Sequence, residues 1–189
     1  KMSKSKKNVI DPGEIINLYG ADTARWFVLS DSPPERDLEW TETGVVASYK
    51  FLNKIWDLFE KSTNYKTNLK ETDQSSLKKF NKIINDISIN IESFHFNKSV
   101  AKIYEYVNLL SSLVSKKLII EEYLSKIIEK LSIIIHPFIP HLSEEIWHGL
   151  GKKKLCISAK WPDTQDIYEE SVIKMPIQIN GKTRSLIDI

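Results

Sequence analysis

The sequence predicts a mainly α-helical bundle followed by a short β element. Three observations predict it. Apolar residues recur at steps of three and four along four long stretches, short polar segments separate these stretches, and apolar and polar residues alternate around an Asn-Gly pair near the C-terminus. The first two patterns are typical of amphipathic helices joined as a bundle, and the third is typical of a β-hairpin.

Two shorter helices are predicted ahead of the bundle. Asp11 followed by Pro12 has the form of an N-cap with proline at the first helical position, and Gly20 can end that helix. Residues 22–30 predict the next helix, which the two prolines at 33–34 stop.

The four long helices are recognised by their apolar stripes. The stripes are Val45, Tyr49, Leu52, Trp56 and Phe59; Leu77, Phe80, Ile84, Ile87, Ile91 and Phe94; Val100, Ile103, Val107, Leu110 and Val114; and Leu124, Ile127, Leu131, Ile134 and Phe138. Thr41 can cap the first of these helices, and segments 62–73, 94–97 and 115–122 link them.

A further helix and the β element are predicted to follow the bundle. Pro140 can occupy the first turn of this helix, and Gly149 or Gly151 can end it. Segment 175–189, around Asn180 and Gly181, predicts a hairpin whose two strands are too few to be stable alone. We therefore expect three regions.

The three predicted regions have distinct roles. Residues 1–40 form an opening loop with its two helices, residues 41–151 form the helical bundle, and residues 152–189 form an extended linker and the start of a truncated β-containing domain.

Composition restricts the class of protein without identifying it. The chain has 189 residues, 41% of them apolar, so it can bury a substantial core, and its formal charge of +2 neither requires nor excludes a nucleic-acid partner. Its single cysteine, Cys156, cannot form an internal disulfide and favours a reducing compartment. No apolar run reaches membrane-spanning length, and we expect a cytoplasmic protein. We also expect a monomer.

The sequence predicts no metal site. The four histidines have no cysteine partners, and His141 and His148 are seven residues apart. His136, which precedes a proline, is expected to satisfy backbone groups at a helix break.

The opening string "KMSKS" suits contact with phosphate. Lysine is a compact charge on a flexible stem, and two lysines flanking a small hydroxyl residue let one anchor the loop while the other reaches substrate. Such a loop can close over a polyphosphate and stabilise the charge that develops on it. The simpler interpretation of five such residues is a solvated basic terminus.

The full opening favours the phosphate interpretation. "KMSKS" followed by "KNVIDPGEIINLYGADTARWFVL" resembles the signature loop of class I aminoacyl-tRNA synthetases and the helices after it. "PPERDLEW" resembles the leucyl branch, "HPFIPHLSEEIWHGLG" resembles the last bundle helix shared by the leucyl, isoleucyl and valyl enzymes, and "IQINGKTR" resembles the opening of the leucyl C-terminal domain.

The resemblance implies roles for the opening residues. Lys4 would be catalytic and would stabilise the leaving pyrophosphate, as part of an ATP-binding loop made of Lys1, Met2, Ser3, Lys4 and Ser5. The parent enzyme would use ATP with Mg²⁺ to activate leucine and transfer it to tRNA(Leu). The resemblance implies that the chain is a fragment, with no cofactor bound and no activity of its own.

The resemblance also implies that the bundle is of the anticodon-binding type and contacts tRNA. The candidate contacts are basic: Arg25, Lys50, Lys54, Lys78, Lys82, Lys98 and Lys102. Together they can follow an RNA backbone, although each alone is typical of a solvated polar face. Arg25 can instead brace the loop, and Trp26 is expected in the core.

Three alternatives remain open at the level of sequence. The chain can belong to an isoleucyl or valyl relative, it can be a non-catalytic tRNA-binding module, or it can be a helical protein-interaction module whose opening motif is a coincidence.

Overall fold

The computed structural model describes residues 5, 9–31, 33, 35–164, 174–179 and 182–188, the last two ranges by their backbone only. Seven α-helices and two strands form there, together with a short 3₁₀ helix at Cys156–Ser158. The helices are α1 (Pro12–Tyr19), α2 (Ala21–Asp31), α3 (Glu42–Thr63), α4 (Gln74–Glu92), α5 (Phe96–Ser115), α6 (Glu121–Ile135) and α7 (Pro140–Gly149), and the strands are β1 (Lys174–Ile179) and β2 (Lys182–Asp188). The predicted helical fold class is confirmed.

The starts of α1 and α3 follow the predicted capping chemistry. The Asp11 carboxylate accepts the backbone N–H of Gly13 at 2.8 Å, and Pro12 takes the first helical position. The Thr41 hydroxyl accepts the N–H of Gly44 at 3.3 Å. Each cap satisfies an N–H that the helix itself leaves unpaired.

The core lies where α3, α4, α5 and α6 meet. α4 and α5 form an antiparallel pair, and the stripes of all four helices supply buried side chains. Tyr106 is completely buried in α5, where its hydroxyl donates to the Ile127 carbonyl of α6 at 2.9 Å. Burial raises the pKa of that phenol well above its usual range, so it stays a neutral donor.

Two stripe residues lie outside the core, contrary to the sequence-based prediction. Tyr49 is 41% exposed and packs edge-on against Tyr19 of α1 at 5.7 Å between ring centres. Phe94 is 67% exposed and lies beyond the end of α4. A regular period identifies a helix face, but it does not fix where the helix ends or what covers each end.

The link between α3 and α4 is also more ordered than its polar composition suggests. Tyr65 is buried and donates its hydroxyl to the Ile119 carbonyl at 2.9 Å. Thr72 is buried and accepts the Ile120 N–H at 2.9 Å. These bonds fasten the link to the turn before α6.

The strands pair as the predicted antiparallel hairpin. Ile179 pairs with Lys182, and the register shifts between Ile177 and Gln178, which leaves Arg184 as the extra residue of a bulge. The connecting Asn180 and Gly181 lie outside the described residues. None of the helices described here is both long and apolar enough to cross a membrane.

Candidate nucleic-acid interface

The structure does not describe most of the opening motif. Lys1, Met2, Ser3 and Lys4 lie outside the described residues, and Ser5 is exposed. Their contact with ATP therefore stays a prediction. What the structure does describe is the pair of helices that follows the motif and its attachment to the bundle.

Asp22 attaches α2 to α7. Its side chain is almost fully buried, and one carboxylate oxygen accepts the backbone N–H of Leu142 at 2.7 Å while the other lies 2.8 Å from His141 Nδ1. The N-cap residue of α7, Ile139, has no side-chain oxygen to offer. Asp22 therefore caps α7 from another helix, with negative charge at the positive end of the helix dipole.

Arg25 attaches α2 to the turn between α6 and α7. Its Nε donates to the Phe138 carbonyl at 2.9 Å and its Nη2 donates to the Pro137 carbonyl at 2.8 Å. The sequence left Arg25 as a tRNA contact, a brace for the loop or a surface charge, and in the structure two of its five N–H donors bond to bundle backbone.

Trp26 completes this attachment. It is fully buried, as predicted, stacks on Phe51 at 5.1 Å and donates its indole N–H to the Tyr104 hydroxyl at 3.3 Å. Successive residues of α2 thus hold one side of the α6–α7 turn and enter the core. α2 is therefore attached to the bundle both by hydrogen bonds and by ring packing.

The six predicted lysine contacts lie on three helices and differ in their partners. Lys54 donates to Asn108 Oδ1 at 2.8 Å. Lys102 pairs with Asp86 at 3.3 Å and Glu105 at 3.0 Å. Hydrogen bonding to Glu105, ahead of that to Asp86, raises the Lys102 pKa. Among the described residues no partner is found for Lys50, Lys78, Lys82 or Lys98.

The structure spreads these lysines along the bundle and does not gather them into one cluster. Lys98 of α5 and Asn90 of α4 border the same groove between the two helices, so the two residues lie at the same end of the pair. Lys78 lies twelve residues before Asn90 on α4, which corresponds to about 18 Å at the rise of an α-helix. A partner that touches both ends must therefore be extended.

A second groove, which the sequence did not predict, lies between α4 and α6. It encloses about 530 Å³ over a floor that includes Leu77, Phe80 and Ile127. Lys78 borders it together with two lysines that the sequence analysis missed, Lys126 and Lys130. Their spacing of four residues places them on one face of α6 and was a usable signal.

Glu144 joins α7 to the segment that follows it. Its carboxylate accepts the N–H groups of Cys156 at 2.7 Å and Ile157 at 3.2 Å and lies 3.0 Å from His136 Nε2. Burial tends to raise the Glu144 pKa, but these bonds outweigh it and the pKa is lowered. The expectation that His136 satisfies backbone was wrong, because its partner is this carboxylate.

Cys156 lies inside the protein and not in a cluster of metal-binding side chains within the described residues. Cys156 is buried, burial raises the pKa of its thiol, and the Ser143 hydroxyl lies 3.4 Å from its sulfur. Within the described part of the chain, no three His, Cys, Asp or Glu side chains come close enough to hold a metal ion.

Comparison with known families defines the class of protein. Residues 73–189 match the family "Anticodon-binding domain of tRNA ligase", and residues 1–41 match "tRNA synthetases class I (I, L, M and V)". The chain therefore belongs to the family of anticodon-binding domains of tRNA ligases.

Two similar relatives are ligases for one amino acid, leucine. The chain is 43% identical to the leucine–tRNA ligases of Jannaschia sp. (strain CCS1) and Ruegeria pomeroyi, over all of this chain and 22% of each relative. It thus spans about a fifth of these relatives' length, and the predicted resemblance to the leucyl branch is confirmed.

A solved structure shows that the fold is similar as well as the sequence. The fold matches the ternary complex of Agrobacterium radiobacter K84 agnB2 LeuRS, tRNA and LeuAMS with a TM-score of 0.85 and 27% identity. The match covers all of this chain and 26% of that one.

Proposed function

We propose that this chain is the part of a leucine–tRNA ligase that supplies the ATP-contacting loop and a tRNA-binding helical domain. The parent enzyme joins leucine to the α-phosphate of ATP with loss of pyrophosphate, and then passes the leucyl group to tRNA(Leu). The observation that carries this proposal is the 43% identity to leucine–tRNA ligases over the whole chain. The intact "KMSKS" string supports it.

Within this proposal Lys4 stabilises the negative charge that develops on the departing pyrophosphate. Lys1, Met2, Ser3 and Ser5 shape the loop that brings it there, and ATP arrives as its Mg²⁺ complex. α2 supports this role because Asp22 and Arg25 hold it to the bundle. Ile16 and Leu18 of α1 are exposed apolar residues that can pack against other parts of the parent enzyme.

The helical domain holds the tRNA through phosphate contacts. The strongest candidates are the lysines for which no partner is found in the described part of the chain: Lys50, Lys78, Lys82 and Lys98. There a phosphate need not displace a partner that the structure shows. Lys54 and Lys102 contribute less, since each already has a bond to a neighbouring helix or side chain. Arg25 keeps N–H donors beyond the two that bond to backbone.

Leucine-dependent exchange of pyrophosphate into ATP tests the catalytic proposal in the full-length protein. Lys4→Ala should lower the exchange rate about 10²–10³-fold, the scale for losing one electrostatic contact to a transition state. Lys79→Ala, an exposed lysine of α4 outside the proposed contacts, is the matched control and should exchange at the wild-type rate. Near wild-type exchange by Lys4→Ala would remove the role assigned to Lys4.

A substrate panel separates the alternatives. Exchange with isoleucine or valine, but not leucine, would assign the chain to one of those relatives. Absence of exchange with any amino acid, combined with tRNA binding, would favour a non-catalytic tRNA-binding module.

Titration with tRNA(Leu) at several salt concentrations tests the proposed tRNA binding by the helical domain. Lys98→Gln should weaken binding and reduce the slope of log Kd against log salt by about one ion. Lys102→Gln should change the slope less, because Asp86 and Glu105 already neutralise that lysine. Equal slopes for the wild type and Lys98→Gln would contradict a phosphate contact at Lys98.

A further inference from the structure

The turn between α4 and α5 carries an aromatic residue that the helical core does not use. Phe94 is 67% exposed, although its sequence pattern placed it on a buried face. Its φ is +57°, in the left-handed region that residues with a Cβ rarely adopt.

The hydrogen bonds around Phe94 show why the backbone takes this form. The His95 N–H donates to the Asn90 carbonyl at 2.8 Å, and the Phe94 N–H donates to the Ile91 carbonyl at 3.0 Å. This is the Schellman arrangement, in which Phe94 occupies the position that usually holds glycine. A bulky ring at a strained and exposed position points to a function for the ring.

One side of the Phe94 ring is anchored in the molecule. It makes a T-shaped contact with Phe96 at 5.7 Å, and Phe96 makes another with the fully buried Phe138 at 6.3 Å. The turn therefore presents to solvent an aromatic surface that rests on Phe96 along one side.

Charges near the turn suit a polyanion that carries flat rings. Arg25 donates to the carbonyl of Phe138, the residue at the inner end of the aromatic contacts. Lys98 lies in the first turn of α5, exposed and without a partner among the described residues, and Glu92 is an exposed acid at the end of α4. Lys98, four residues after Phe94, is the cation that can meet a phosphate beside this turn.

We propose that Phe94 stacks on an unpaired base of the tRNA bound by the helical domain. The proposal rests on the proposed tRNA binding and adds a stacking contact to the phosphate contacts. Every base has an aromatic face, so such a contact adds affinity with little dependence on sequence. An aliphatic partner surface would not require a planar ring.

Binding of a tRNA(Leu) transcript to the full-length protein tests the proposal. Phe94→Ala should raise Kd roughly 5- to 100-fold, the range expected when stacking on one base is lost. Phe94→Trp should bind within about threefold of the wild type, because it retains an aromatic face. Ile89→Ala, at a 54% exposed aliphatic residue of the same hairpin, is the matched control and should leave Kd unchanged.

The pair Phe94→Ala and Phe94→Gly separates stacking from folding. Both lack the ring, but glycine fits the left-handed backbone and should melt at a higher temperature than alanine. Equal losses of tRNA affinity in the two variants, with unchanged leucine-dependent pyrophosphate exchange in the absence of tRNA, would support stacking.

Three outcomes would overturn it. These are wild-type affinity in Phe94→Ala, an affinity loss that follows the melting temperature, and loss of exchange without tRNA, which would show that the ring packs against other protein. Failure of the proposed function looks different, because the wild-type protein itself would then neither bind tRNA(Leu) nor exchange with leucine.

Discussion

The Asp22 carboxylate accepts the backbone N–H of Leu142 at 2.7 Å, a contact between residues 120 positions apart in the chain. Asp22 lies on the second helix after the opening motif, and Leu142 lies in the first turn of α7. Together with the bonds from Arg25 to Pro137 and Phe138, this contact makes α2 part of the bundle.

Replacing Asp22 by alanine should destabilise the protein by about 1–3 kcal/mol, because the Leu142 N–H loses its partner in a partly buried position. Urea denaturation measures this loss. Asp57→Ala, at an exposed residue of α3, is the control and should change the free energy of unfolding by less than about 0.5 kcal/mol. Equal effects of the two substitutions would show that Asp22 does not act as a cap.

Gly149 is required by close packing between α7 and α3. A Cβ at this position would overlap the ring of Phe59. Gly149→Ala should therefore lower the free energy of unfolding by about 1–3 kcal/mol, the usual cost of overpacking a core. A double-mutant cycle with Phe59→Leu should show positive coupling, since the smaller side chain makes room for the methyl group. Additive effects would place the clash elsewhere.

Lys117 occupies a left-handed position at the end of α5, with φ of +55°. Lys117→Gly should stabilise the protein by about 1 kcal/mol, because glycine adopts this conformation without strain. Lys116→Gly is the matched control, since that residue has an ordinary φ of −87° and should gain nothing. Thermal melts of the two variants in parallel decide the point; a higher melting temperature for Lys116→Gly than for Lys117→Gly would contradict it.

Glu144 should make the free energy of unfolding depend on pH. Despite burial, its bonds to the Cys156 and Ile157 N–H groups and to His136 lower its pKa below the ordinary 4.5. A lowered carboxyl pKa contributes stability above the ordinary value, and this contribution is lost as the pH falls through the lowered pKa. Unfolding free energies measured from pH 6 downwards should fall less steeply in Glu144→Gln than in the wild type.

The neighbouring Glu145 provides the control for this measurement. It is exposed, and Glu145→Gln should reproduce the wild-type pH dependence. If Glu145→Gln and Glu144→Gln behave alike, the acid-sensitive term does not belong to the carboxylate that binds the segment after α7.

The local sequence pattern was sufficient to predict structure wherever the interactions that decide it lie within one helix. The caps at Asp11 and Thr41 and the proline at the start of α7 act over two to four residues, so the sequence displays them directly. The apolar stripes likewise identified the four long helices, because burial on one face imposes the helical period. Family likeness of the opening string and of later segments then indicated the leucyl branch.

Pattern failed where a residue's surroundings come from distant parts of the chain. Phe94 continued a helical stripe, but its helix ends two residues earlier and its ring stays 67% exposed, with one contact to the Phe96 ring. His136 was expected to serve backbone, but folding brings Glu144 to it. Neither outcome is encoded in the residues immediately before and after.

The sequence by itself thus determined the helices, their capped starts, the hairpin and the family, because each depends on short-range geometry or on a string of residues read in order. Only the tertiary structure decided that Asp22 and Arg25 hold the α6–α7 turn, that the basic residues are spread along the bundle, and that an aromatic ring faces solvent. The physical reason is that a buried hydrogen bond or an exposed face is fixed by which elements pack together, and packing joins residues more than a hundred positions apart.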